Sequence, residues 1–148
     1  MIEIVSVNNL AEILPLIRMY QEFYESDAIS DQKNHAFFSQ FHPQSPLGCQ
    51  FLYRQQDEAV AFATVYFSFS SVLTEKVAIL NDLYTRPDMR KRGIGRQLLE
   101  HCREFSMARG AARLQWLTAA DNQRAQGLYD SFAVKKSPWI FYSYTGDA

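Results

Sequence analysis

The residues most suited to chemistry lie in one run, RPDMRKRGIGRQLLEHC, from Arg86 to Cys102. A proline closes an extended segment, Arg and Lys follow, two glycines stand one residue apart, and an amphipathic helix begins. A helix N-terminus leaves about four backbone N–H groups without intrahelical acceptors and carries partial positive charge. Glycine lets the chain turn tightly and removes the Cβ that would hold a ligand away. With Arg90, Lys91, Arg92 and Arg96 around Gly93 and Gly95, the run predicts a cradle for a phosphate or pyrophosphate. Two other phosphate loops fail on spacing. No G-x-x-x-x-G-K-[ST] is present, and Leu98 stands where a dinucleotide-binding G-x-G-x-x-G needs its third glycine. A lone G-x-G before a helix can also be a plain turn.

Stepping outward, the elements that must position this turn follow from periodicity. Alternation in Ile2–Val7 predicts a strand, and Leu10, Ile13, Leu14 and Ile17 mark one face of a helix that Pro15 should kink. A short helix is expected over Lys33–Phe41 and loop chemistry over HPQSP. CQFLYRQ, AVAFATVYFSF and KVAILNDLYT predict three strands, the first two a hairpin through QDE. A helix over Ile94–Arg109 should stop at Gly110. ARLQWLTA predicts a strand, Asn122–Phe132 a helix, and WIFYSY a last strand. Antiparallel strands followed by strand–helix–strand crossovers make a mixed α/β sheet in one domain, residues 1–148.

Arg90-x-x-Gly93-x-Gly95 resembles the [QR]-x-x-G-x-[GA] signature of the GCN5-related N-acetyltransferases, nearest in look to the branch acting on diamines and small amines. Leu80–Pro87 resembles the strand that leads into that signature, and Asn122, Ala125 and Tyr129 resemble the family's N-x-x-A-x-x-x-Y pattern. The resemblance implies a single acyltransferase domain, a mostly antiparallel sheet flanked by helices, and a splayed central strand pair. It implies acetyl-CoA as cofactor, its pyrophosphate on Arg90, Lys91, Arg92, Gly93, Ile94, Gly95 and Arg96, and its pantetheine arm along Leu83, Tyr84 and Thr85. It makes the Leu83 N–H a donor to the thioester carbonyl, Tyr129 the proton donor to the leaving thiolate, and Asn122 a contact for the arm. Asn122 could equally cap its helix, and Tyr129 could be a packing residue. Thr85 and Ala133-Val134 depart from the family's usual residues.

A free amine ionises near pH 10, so an acceptor must lose a proton before it attacks. Asp82 is the candidate to draw in and deprotonate it, or else a structural acceptor of hydrogen bonds. Glu22, Tyr24 and Glu25, with Asp82, are the substrate-binding candidates, in an acidic region that includes Asp27 and Asp31. That charge suits a polyamine, diamine or lysine-like acceptor. A protein or peptide acceptor, or a coenzyme A-binding regulator without turnover, remains the alternative.

Charge and composition narrow the remaining classes. Residues 1–88 hold 11 acidic and 5 basic side chains and residues 89–148 hold 10 basic and 5 acidic, so the net charge of −1 hides a division. The chain as a whole is not basic, which does not favour nucleic acid. No apolar run approaches a membrane span and no secretory signal is visible. Cys49 and Cys102 read as reduced thiols, so the expected compartment is the cytoplasm. His35, His42 and His101 are scattered and suggest no metal site. The aromatic run WIFYSY could serve a homodimer interface, with core packing the plainer reading.

Overall fold

A computed structural model describes residues 1–146. The chain divides into two compact units, Met1–Leu117 and Thr118–Ala148. The first unit is built on a five-stranded sheet in the order β1-β2-β3-β4-β5: β1 (Ile2–Ile4), β2 (Gly48–Gln55), β3 (Glu58–Ser70), β4 (Glu75–Thr85) and β5 (Leu114–Gln115). The first three pairings are antiparallel, and β4 with β5 is parallel. Helix α1 (Leu10–Phe23) packs with α2 (Asp31–Phe38) on one face. On the other lies α3 (Ile94–Ala108), whose Phe105 meets Phe51 of β2 and Phe67 of β3.

Local chemistry explains most of the boundaries. Asn9 pins the turn into α1: its Oδ1 accepts the Ser6 N–H at 2.8 Å and its Nδ2 donates to Ile4 O at 3.1 Å. Pro15 sits within α1, which runs on past it. Ser30 caps α2 by accepting the Lys33 N–H, so that helix starts at Asp31 and ends at Phe38, displaced from the expected Lys33–Phe41. Gln56 and Asp57 both take positive φ in the two-residue β2–β3 turn, which suits the twist of paired strands. Ile13, Ile17, Leu52 and Phe62 are fully buried between α1 and the sheet, with Tyr84 beside them.

Two features of β4 position the site. Its register against β3 runs Thr64↔Asp82, then Val65↔Leu80, so Asn81 is an extra residue, a bulge. Its pairing with β5 covers only Ala78 and Ile79. Among the described residues, Leu80 to Thr85 therefore pair with a strand on one side alone, which is the splay the family resemblance implies.

The second unit holds α4 (Gln123–Asp130). Asn122 caps it by accepting the Ala125 N–H at 3.2 Å, and Lys136 pairs with Asp130 at 3.0 Å. Two expected strands need correction. ARLQWLTA pairs only at Leu114–Gln115, and WIFYSY forms no strand. Alternation makes a segment fit to be a strand, but the strand exists only where a neighbour completes its ladder. No such ladder forms at 139–144, and Trp139 is 90% exposed.

Candidate active site

The glycine turn has the geometry of an anion cradle. After the 3-10 turn Pro87–Met89, Lys91 and Gly93 both adopt left-handed φ, of 65° and 80°, and Gly93 is the N-cap of α3. Backbone kinks of this kind gather N–H groups on one side, where an anion can sit. Lysine is uncommon in that conformation, so the strain at Lys91 is held by its surroundings. The first backbone donor of α3 to find a helical acceptor is Gln97, bonded to Gly93 O at 3.1 Å. The N–H groups of Ile94 and Gly95 therefore face out of the helix end. A Cβ added at Gly93 would meet nothing within 4 Å, so that face is open. Lys91, Arg92 and Arg96 are exposed around it. Arg90 ties the turn to the strand: its Nε donates to Thr85 O at 2.9 Å and its guanidinium lies 5.4 Å from the Tyr84 ring centroid.

The bulge decides which way β4 presents its backbone. The Ala78 N–H points to β5, bonding Arg113 O at 2.9 Å, while the Arg86 N–H points to β3, bonding Val60 O. Both are even-numbered residues eight apart, so simple alternation would aim them the same way. The extra residue Asn81 reverses the parity. Beyond it Asp82 and Tyr84 direct their backbone to β3, and Leu83 and Thr85 direct theirs to the open edge. Thr85 O on that edge is already engaged by Arg90. The open edge and the positively charged turn fit an elongated ligand with a pyrophosphate, which is the shape and charge of coenzyme A.

On the α1–α2 side of β4 lies a cavity of about 670 Å³, bordered by Tyr20, Asn34, Phe37, Phe38, Tyr66 and Asp82 among others. Asp82 is only 4% exposed. Its Oδ1 accepts from Asn81 Nδ2 at 3.0 Å, and its Oδ2 is buried with no completed hydrogen bond. Burial pushes its carboxyl above the usual range, opposed by the Thr64 and Tyr20 hydroxyls and by Asn81. Burial and the Asp82 charge in turn push Tyr20 well up and Tyr66 up to about 12, so both stay protonated. Behind Asp82 runs a polar row across three strands. Gln50 pairs with Thr64, and Thr64 with Asp82. Gln50 Nε2 donates to Thr64 Oγ1 at 3.0 Å, which leaves the Thr64 proton for the carboxylate.

The sequence-predicted residues fall into three groups. Leu83, Tyr84, Thr85 and the run Arg90 to Arg96 lie together at the end of β4 and the start of α3. Glu22, Tyr24 and Glu25 lie at the exposed end of α1 and outside the cavity lining, with Glu22 3.8 Å from Arg18. Asn122 and Tyr129 belong to the second unit, Asn122 as the cap of α4 and Tyr129 half-buried on it. Sequence reasoning passed over Tyr20, Lys33, Asn34, Gln50, Thr64, Tyr66 and Asn81. Gln50 and Thr64 carried a usable signal, as polar residues in the middle of apolar strands. Among the described residues no cluster of His, Cys, Asp or Glu could hold a metal ion, and no helix is long and apolar enough to cross a membrane.

Known proteins show the family and the fold. The sequence model of the Acetyltransferase (GNAT) family matches residues 13–133. An uncharacterized N-acetyltransferase of Bacillus subtilis (strain 168), YhfO, is 30% identical over 123 residues, 83% of this chain and 81% of its own. A D-amino-acid N-acetyltransferase of Saccharomyces cerevisiae is 35% identical over 57% of this chain and 52% of its own. A thialysine N-epsilon-acetyltransferase of Caenorhabditis elegans is 27% identical over 62% and 59%. The chain thus spans little more than half the length of the last two. Among solved structures, a probable acetyltransferase superposes with a TM-score of 0.87 at 24% identity, covering 100% of this chain and 99% of its own. An aminoglycoside N-acetyltransferase solved with CoA superposes at 0.80 and 15% identity, covering 99% and 95%. The turn fitted to a pyrophosphate, the splayed strand beside it and the matching family sequence belong together: this chain is a member of the GNAT family, an acetyl-CoA-dependent N-acetyltransferase.

Proposed function

We propose that the acceptor is a small primary amine, diamine-like or lysine-like, delivered through the α1–α2 cavity to Asp82. The observation that carries this reading is the bulge at Asn81. It leaves a buried carboxylate with an unpaired oxygen on the cavity side of β4 and turns the next backbone N–H, that of Leu83, to the open edge. The relatives named for D-amino-acid and thialysine acetylation support an amine of this size.

When bound, acetyl-CoA supplies an acetyl group activated as a thioester. The cradle Arg90, Lys91, Arg92, Gly93, Ile94, Gly95 and Arg96 holds its pyrophosphate, with Leu83, Tyr84 and Thr85 along its arm. Asp82 takes a proton from the incoming ammonium, and its raised pKa makes it a stronger base than an exposed aspartate. Leu83 N–H donates to the oxygen on which negative charge develops. Tyr129 is assigned the proton needed at the leaving sulfur, and Asn122 a contact with the arm, on the sequence pattern. In the net exchange a C–N bond replaces a C–S bond; the ammonium nitrogen gives up two protons, one through Asp82 to solvent and one balanced by the proton the sulfur gains. Both units serve one domain in this reading, as the family match across residues 13–133 supports. A cytoplasmic enzyme, paired as a homodimer through residues 139–144, completes the proposal.

Free-thiol release from acetyl-CoA tests it, with spermidine, short diamines, lysine and a peptide bearing a free N-terminus. Release with a small amine, cut strongly in Tyr129→Phe, is the expected result. Release only with the peptide would move the assignment to a protein acceptor. Acetyl-CoA binding without release by any amine would make the chain a non-catalytic binder. Light scattering reads the homodimer.

A further inference from the structure

The polar groups bordering the α1–α2 cavity can be accounted for one by one. Gln21 and Asn34 exchange two hydrogen bonds, each of 2.8 Å, and so satisfy each other while locking α1 to α2. Ser30 Oγ accepts the Lys33 N–H at 3.2 Å as the cap of α2, and Gln40 Nε2 donates to Phe37 O at 3.0 Å. Asn81 Nδ2 lies 3.3 Å from the Tyr66 hydroxyl and 3.0 Å from Asp82 Oδ1. Two charged groups remain on the lining, and neither forms an ion pair among the described residues: the Asp82 carboxylate, with its buried open oxygen, and the ammonium of Lys33 on the first turn of α2. Phe37 and Phe38 border the same cavity and offer apolar surface for a short methylene chain.

The acidic residues nearby do not alter this balance. Glu22 and Asp31 lie on Arg18, at 3.8 and 3.1 Å, and neither borders the cavity; nor do Glu25 and Asp27. A buried carboxylate and an exposed lysine on one cavity lining are the complement of a ligand bearing both an ammonium and a carboxylate. A second ammonium with no carboxylate beside it, as a diamine or polyamine carries, would face Lys33 with uncompensated like charge.

We propose that this cavity takes an acceptor bearing a carboxylate as well as its amine, an amino acid rather than a simple amine, with the amine at Asp82 and the carboxylate at Lys33. The inference rests on the amine reaching Asp82 as proposed above. It makes Lys33 a specificity-determining residue and separates the two acceptor classes that the acidic first half of the sequence left together.

The test compares lysine with lysinamide and cadaverine, which keep the chain length and lose the negative charge, and with phosphoethanolamine. The readout is kcat/KM for thiol release from acetyl-CoA by the full chain. Charge-assisted contacts to an ammonium are worth enough for lysine to lead lysinamide by about tenfold, mostly through KM. In Lys33→Met that lead collapses, and Lys33→Arg restores it. Equal use of lysine, lysinamide and cadaverine would overturn the inference and leave the small-amine reading intact, as would a lead that survives Lys33→Met. A preference for phosphoethanolamine would also overturn it, making Lys33 a phosphate anchor. No release with any of these amines would overturn both readings together.

Discussion

Two clusters of charge lie along the same sheet and solve opposite problems. At its first edge Arg54 of β2 reaches Glu3 of β1 and Glu12 of α1, donating to Glu3 through Nε and to Glu12 at 2.8 and 3.0 Å. Hydrogen bonds to Arg54 hold both glutamates below the usual carboxylate range. At the other end Asp82 is more deeply buried, has no cationic partner among the described residues, and is pushed upward by burial. The first arrangement has the form of a fastening: charge meets charge and little is left to bind anything else. The second leaves a buried carboxylate oxygen without a hydrogen-bond partner on a residue that lines the cavity, an arrangement costly in stability and consistent with the base role proposed for Asp82.

The sharpest way to break this comparison is to neutralise the unpaired carboxylate. Asp82→Asn should lower kcat/KM for thiol release about a hundredfold or more, within the range of lost general-base catalysis. Its stability should move the other way. Because the folded pKa of Asp82 is raised above 3.8, the native state holds its proton more tightly than the unfolded chain, and stability falls as pH rises through that window. The variant should therefore melt higher than wild type at pH 7, with the gain vanishing toward pH 3.8. A variant that loses activity and stability together would make Asp82 a structural residue.

A milder change reaches the same group from behind. Thr64→Val removes the hydroxyl between Gln50 and Asp82 and leaves the Gln50 amide without its acceptor. A loss of about 1–3 kcal/mol in stability is expected from that unmet donor. The acid limb of the kcat/KM pH profile should move to higher pH, since Asp82 then keeps only Tyr20 and Asn81 as donors. Thr64→Ser should restore the limb. An unmoved limb would show that the row does not tune the carboxylate.

The smallest effect on activity belongs to the fastened cluster. Arg54→Met should leave kcat/KM unchanged and lower the melting temperature near pH 7. Glu3 and Glu12 have folded pKa values below 4.5, so their contribution is present above that pH and is lost as pH falls through the folded values. The gap between variant and wild type should accordingly narrow in acid. A loss of activity would break the contrast.

The cradle was legible because its physics is local. Proline, alternating glycines and helix periodicity occupy consecutive residues, and left-handed φ at Gly93 is a demand that a sequence displays. The helix stop at Gly110, with φ of 87°, is of the same kind. The strand WIFYSY was misread because pairing is not local: its alternation is real, but a ladder needs a neighbour that no pattern within the segment can supply.

The amino-acid sequence by itself determined the family, the glycine turn and most of the elements, since each is encoded over a few consecutive residues. Only the tertiary structure decided the cavity in which the acceptor is proposed to sit. Tyr20, Lys33, Tyr66 and Asp82 come from α1, α2, β3 and β4, and Asp82 acquires its open oxygen through burial and one extra residue in a strand. Burial and strand register belong to the assembled sheet, and they give one aspartate the surroundings on which its proposed role rests.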